Sequence, residues 1–125
     1  MKLQNFKDVK HINLITYKKD GSSVTTPVWI AEYNDSLVVS SELNAGKVKR
    51  IRNNGKATIY QTNFTGSKRL SESLDVKGSL IVDKNKKIEA ENSIRKKYGM
   101  FAKMYLMGSG NNRAIIKLEE KDKQW

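Results

Sequence analysis

The stretch "SVTTPVWIAEY", residues 23–33, is the longest extended run in the chain, and it holds the only proline, Pro27. Val, Thr, Trp, Ile and Tyr favour a pleated strand, while a proline gives a sheet no N–H to pair. The run therefore reads as a strand whose backbone at Pro27 faces an edge, a bulge or a ligand. Thr25 and Thr26 offer hydroxyls beside it. Trp29 is read either as a core or interface aromatic or as a surface for a flat ring.

Working outward, "INLITYK" (12–18) gives a preceding strand joined through "KDGS", and "Asn34-Asp35-Ser36" turns the chain into "LVVSS" (37–41), so that the three strands read as a meander. A basic helix follows, with Asn44 as the expected N-cap. Val48 and Ile51 fall on one face and Lys47 and Arg50 on another, and "Asn53-Asn54-Gly55" supplies the stop. Strands are expected at 56–62, within 71–83 and at 112–120, with a second helix over 86–98. "MFAKMYLM" reads as a short helix or an irregular crossover. No regular βαβ alternation is present, which argues against a doubly wound sheet. The order fits a mainly β, antiparallel barrel with inserted helices plugging its ends, as a single domain over residues 1–125.

Composition narrows the chemistry. The chain has 125 residues, 38% hydrophobic and 30% charged, with a formal charge of +11, no cysteine and one histidine, His11. Thiolate chemistry and disulfides are excluded, and a multi-histidine metal centre has too few ligands. The N-terminus has no uninterrupted apolar segment, and no run approaches the roughly 18 apolar residues of a membrane span, so a cytoplasmic protein without membrane partners is expected. The positive charge favours an anionic partner. Nucleic acid is disfavoured, since the basic runs are interrupted by core-facing residues and no recognition motif occurs.

The strongest local signal is the strand-to-helix passage "VVSSELNAGKVKRIRNN". Free amides at a helix start, hydroxyls from Ser40 and Ser41, and the charges of Lys47 and Arg50 could hold a phosphate. The same residues could equally form a solvated basic surface. No P-loop, nucleophile elbow, metal triad or acid–base pair appears, so no catalytic residue or metal ligand is assigned. Any redox chemistry would then belong to an organic cofactor.

Together, "DG…VTTPVW", "SS…GKVKRIRNN", "VKGSLIV" and "IRKKYG" resemble, in order and spacing over residues 10–119, the pyridoxamine 5'-phosphate oxidase-like FMN-binding split-barrel family. The nearest subgroup is that named deazaflavin (F420)-dependent oxidoreductases. The resemblance implies a six-stranded antiparallel split β-barrel that forms a homodimer, with two cofactor sites in the grooves between subunits. It implies that Thr25, Thr26, Pro27 and Val28 line the cofactor ring, and that Ser40 and Ser41 lie near the phosphate and ribityl chain. Lys47 would bind the phosphate with help from Arg50, and Thr58 to Gln61 would lie where the next strand passes the cofactor. Trp125 would reach toward a partner's site. The implied function is FMN-dependent hydride transfer to a small conjugated or quinone-like substrate; the alternatives are an F420-dependent reductase or a non-enzymatic flavin or haem carrier. Three departures stand out. Gly55 replaces a proline, and Ala45-Gly46 replace a serine or arginine, which thins the phosphate clamp. The C-terminal Arg and His of true pyridoxamine 5'-phosphate oxidases are missing, which argues against that substrate.

Overall fold

The computed structural model describes residues 2–99 and 113–121. A short 3-10 turn, Leu3–Phe6, precedes strands β1 (His11–Tyr17), β2 (Ser23–Trp29), β3 (Ala31–Tyr33) and β4 (Ser36–Glu42). Helix α1 (Gly46–Asn54), β5 (Lys56–Gln61), β6 (Leu74–Leu80), α2 (Lys84–Tyr98) and β7 (Arg113–Glu120) follow. All strand pairs are antiparallel, in the order β2-β1-β5-β6-β7-β4-β3. The expected segment "MFAKMYLM" and Trp125 lie outside the described residues.

The two edges of this sheet, β2 and β3, are consecutive in the chain and separated by Ile30 alone. The single strand expected at 23–33 is therefore one bent strand. Its first half pairs with β1 (His11 opposite Trp29, Ile15 opposite Thr25) and its second half with β4 (Ala31 opposite Val38). Counted so, the sheet has six strands, and the bend curls it into a half-barrel. The simple meander is corrected accordingly. The β3–β4 turn uses Asn34 and Asp35 with φ of 47° and 63°, the pair of positive values that a two-residue hairpin of the right twist requires.

Bending at Ile30 takes its backbone out of the ladder, and a buried peptide group needs partners. Helix α2 supplies them. The Ile30 N–H donates to Tyr98 Oη at 2.9 Å, and the Tyr98 hydroxyl lies 2.6 Å from Ile30 O and 2.8 Å from Lys10 O. Lys97 Nζ donates to three carbonyls, of Lys7 (3.0 Å), Val9 (2.5 Å) and Ile30 (2.6 Å), one for each of its hydrogens.

The barrel interior is filled by Ile12, Leu14, Val28, Ile30, Leu37, Val39, Ile59, Val76, Ile116 and Leu118, joined by Leu3 and Phe6 of the N-terminal turn. Helix α1 caps this core with Val48 and Ile51, as expected. It ends at Gly55 (φ 69°), where an added Cβ would lie 3.1 Å from Gly78 O. Its N-cap is Ala45, with no side-chain cap, rather than Asn44. Helix α2, capped by Asp83, does not plug an end. It lies outside, over β3, β4 and β7, burying Ala90 and Ile94 against Ala31, Val38 and Ile115, while Ile88 stays half exposed. No helix among the described residues is long and apolar enough to cross a membrane.

Tyr98→Phe keeps the ring but orphans the buried Ile30 N–H. A loss of about 1–3 kcal/mol in urea unfolding is expected. Lys97 gives a second test. Burial lowers its pKa to about 8, opposed by attraction to Asp8 and Glu32. Between about 8 and the ordinary 10.5 the unfolded chain holds this proton and the folded one does not, so folding stability from this group rises with pH across that window. The stability of the wild type relative to Lys97→Met should therefore grow from pH 8 to pH 10. A flat difference would remove Lys97 as its source.

Candidate functional site

The bend leaves a split. Carried on past Ala31, the β3–β4 register would set Trp29 opposite Ser40 and Val28 opposite Ser41, but at Ile30 the chain swings away to β1. One edge of β2 and the last half of β4 thus flank a gap, with the start of α1 at its end. Pro27, in an edge strand, costs the sheet no hydrogen bond there.

Along β2 the side chains alternate. Val28 joins the barrel core, and Thr26 shares its face, whereas Thr25 and Pro27 point outward and are exposed. On β4, Ser40 and Ser41 are buried. Arg113, at the start of β7 and also buried, donates from Nε to Ser40 Oγ at 3.0 Å. Arg50 donates from Nε to the buried Thr16 Oγ1 at 2.6 Å. Its Nη1 lies 2.7 Å from where a Gly46 Cβ would stand, so the glycine at this position makes room for a guanidinium.

Lys47 completes the group. Its pKa is lowered, first by burial and then by the positive charge of Arg113, with Glu42 opposing and Arg50 adding to the repulsion. Three cations therefore converge at the uncapped start of a helix with Glu42 as the carboxylate acting on Lys47. Their mutual repulsion is part of what holds the Lys47 pKa down, and an anion placed there would relieve it. The donor set, one ammonium, two guanidinium groups, serine hydroxyls and helix amides, suits a phosphate.

The remaining residues inferred from the sequence lie elsewhere on the sheet. Thr58 is aligned with Ile15 and Thr25 across three strands, so it sits about 10 Å from Thr25 at ordinary strand spacing. Its hydroxyl donates to Asp75 Oδ1 (2.7 Å), so the 2.6 Å contact with Tyr17 is a bond donated by the Tyr17 hydroxyl. These groups border an open cavity of about 790 Å³ that also includes Lys18, Lys19, Lys56 and Lys121. Gln61, at the end of β5, donates its backbone N–H to Ser71 Oγ at 2.8 Å.

Sequence reading missed two features. Arg113 looked like the opening of a core strand, and only the β4–β7 register brings it to Ser40. His11, Trp29, Phe64 and Tyr98 are far apart in sequence yet line one cleft. Among the described residues no cluster of three or more His, Cys, Asp or Glu could hold a metal ion.

No family model matches this chain, and no curated protein sequence matches it. Solved structures do. The chain is similar to the heme storage protein HutZ of Vibrio cholerae over 98% of its own length and 92% of that chain, with a TM-score of 0.73 and 13% identity. It is similar to a FAD-binding protein of Mesorhizobium loti over 96% and 88%, with a TM-score of 0.70 and 13% identity. A proposed pyridoxamine 5'-phosphate oxidase of Listeria innocua matches over 90% and 85%, with a TM-score of 0.65 and 13% identity. Likeness at this identity speaks for the fold: the curled antiparallel sheet with inserted helices is the split barrel of pyridoxamine 5'-phosphate oxidase-like proteins.

Proposed function

We propose that this chain binds a phosphate-bearing flavin, FMN in preference to F420, at the split between β2 and β4, and serves as a flavin-dependent oxidoreductase for a small conjugated substrate. The observation that carries this reading is the convergence of Lys47, Arg50 and Arg113 beside Ser40 at the start of α1. In this reading Lys47 and Arg113 neutralise the phosphate and Ser40 and Ser41 orient it. The β2 edge from Thr25 to Val28 lies along the ring. When bound, a flavin supplies hydride transfer, and the protein supplies position, charge and exclusion of water. Two copies of the chain would meet on the outer face of β2, β1 and β5, where Thr25, Ile15 and Thr58 form a row that would bring Thr58 toward the partner's flavin; Gln61, opposite the core residue Ile12, falls on the other face.

A second reading is a haem carrier on the same fold. It is favoured by the likeness to a heme storage protein and by His11, whose pKa is lowered by burial and then by Lys10 and Lys97, leaving a neutral imidazole at neutral pH. Haem brings no phosphate, and in that reading its propionates would be the anions that meet the cations at α1.

Riboflavin, which lacks the phosphate, separates these readings. FMN should quench on binding and bind the wild type far more tightly than riboflavin does. Lys47→Ala should weaken FMN by about tenfold or more, the scale of one charge-assisted contact, and leave riboflavin unchanged. Equal losses for both ligands would remove Lys47 from the phosphate site, and haem binding without flavin binding would favour the carrier.

A pH series adds an independent check. Because the Lys47 pKa is already lowered in the empty site, FMN affinity should fall as pH rises toward the ordinary lysine value of 10.5. Binding should also be accompanied by proton uptake in that range. Lys47→Ala should abolish this part of the slope, as measured by titration in buffers of different ionisation enthalpy.

A further inference from the structure

A cleft separate from the cation cluster opens on the outer face of the barrel, beside the bend. It has two lobes that share His11, Trp29 and Phe64 as walls. One, of about 250 Å³, is completed by Pro27 and Val28; the other, of about 230 Å³, by Lys10, Lys97 and Tyr98. Trp29 and Tyr98 are stacked with ring centroids 4.5 Å apart and planes 13° from parallel. Phe64 meets His11 edge-on at 5.6 Å.

Phe64 is 76% exposed, although it stands on a well-braced loop. Asn63 Oδ1 accepts from the N–H groups of Ser67 (2.9 Å) and Lys68 (3.2 Å), and Thr62 Oγ1 donates to Lys68 O (2.6 Å). Buried Asn13 ties the loop to the barrel by donating to Gly66 O at 2.9 Å. Gly66 has φ +78°, and a Cβ there would lie 2.8 Å from Asn13 Oδ1 and 3.0 Å from Pro27. The loop is thus pressed onto β1 and β2 in a shape that holds a phenyl ring out over His11. An aromatic held in water by a braced loop is a contact waiting for a second ring.

Among the described residues no carboxylate lines either lobe, and two lysines do. The three hydrogens of Lys97 are engaged with carbonyls, so among the described residues Lys10, at the rim, is the cation available to a ligand. Neutral His11 adds one donor and one acceptor. Each lobe is smaller than the roughly 300–1,000 Å³ typical of drug-sized ligands, which fits one or two fused rings.

We propose that the cleft between Phe64, His11 and Trp29 binds a planar mono- or bicyclic aromatic acid, with its ring against Phe64 and Trp29 and its acidic group toward Lys10. Because Pro27 and Val28 belong to both the cleft and the split, such a ligand lies next to the cofactor ring. The cleft thereby names the substrate class; in that one respect the inference rests on the flavin reading.

The test uses the full-length protein labelled with 15N and titrated with 2-naphthoate. The indole N–H of Trp29 is the reporter, told from that of Trp125, the other tryptophan, by its loss in Trp29→Phe. A saturable shift of the Trp29 signal is expected. Phe64→Ser should weaken binding at least tenfold, and Lys10→Gln should weaken 2-naphthoate severalfold while leaving uncharged 2-naphthol unchanged. Since Phe64 is mostly exposed, Phe64→Ser should leave the remaining spectrum intact; if it does not, Phe64→Leu, which keeps bulk without the ring, replaces it with the same expected weakening. No saturable shift, or equal affinity in the Phe64 variants, overturns the site, and equal binding of naphthol and naphthoate overturns its preference for acids. The same titration with FMN added separates the two readings. Naphthoate binding in a protein that ignores FMN keeps the cleft and removes the flavin; FMN binding without naphthoate binding does the reverse.

Discussion

The hydrogen bonds at Ile30 decide the shape of this molecule. A strand can leave one sheet edge and join the other within a single residue only if that residue's amide and carbonyl are satisfied outside the ladder. The hydroxyl of Tyr98 and the ammonium of Lys97 satisfy them from α2. The Ile30 side chain is fully buried in the barrel while its backbone is held from outside, so the residue is fixed from both sides. The same lysine also ties down the carbonyls of Lys7 and Val9, which positions the N-terminal turn whose Leu3 and Phe6 complete the core.

The candidate sites follow from that bend. Had residues 23–33 stayed beside β4 throughout, Ser40 and Ser41 would face a strand instead of a gap, and no room would remain between β2 and α1. The divergence opens the split along β2 and leaves Trp29, at the end of that strand, stacked on Tyr98. The tyrosine that closes the barrel is therefore also a wall of the aromatic cleft. Barrel closure and the cleft wall share a side chain here, which couples the integrity of the fold to the geometry of the cleft.

Much of this was legible in the sequence where the chemistry is local. Positive-φ residues at Asn34–Asp35, the apolar pair Val48 and Ile51, the glycine after α1, and the β-branched runs each announce their element within a few residues. Pro27 correctly pointed to an edge. What could not be read was long-range. Nothing local marks Ile30 as the point where a strand changes neighbours, because its partners are 67 and 68 positions away. The N-cap was misplaced because Asn44 has the favoured side chain, yet α1 begins one residue later on Ala45 with no side-chain cap. Helix α2 was read from its spacing as an amphipathic helix, but its weak apolar face seals an outer surface and not a barrel end. Within the candidate site, Lys47, Arg50, Ser40 and Ser41 were named from their neighbourhood in sequence and lie near one another, whereas Arg113 emerged only from strand register.

The bent strand has one more consequence, for solubility. An open sheet ends in two unpaired edges, each a template on which another chain can add a strand. Here both ends of the sheet belong to one continuous segment, and the three pairs between β3 and β4 close it only in part. The stretch that remains uncovered is the split itself. Pro27 stands in it without an N–H to offer, and the positive charges at its end repel a second copy arriving in the same register. The split is thus where the sheet is most open to an added strand, and the residues around it are of the kind that discourage that form of aggregation.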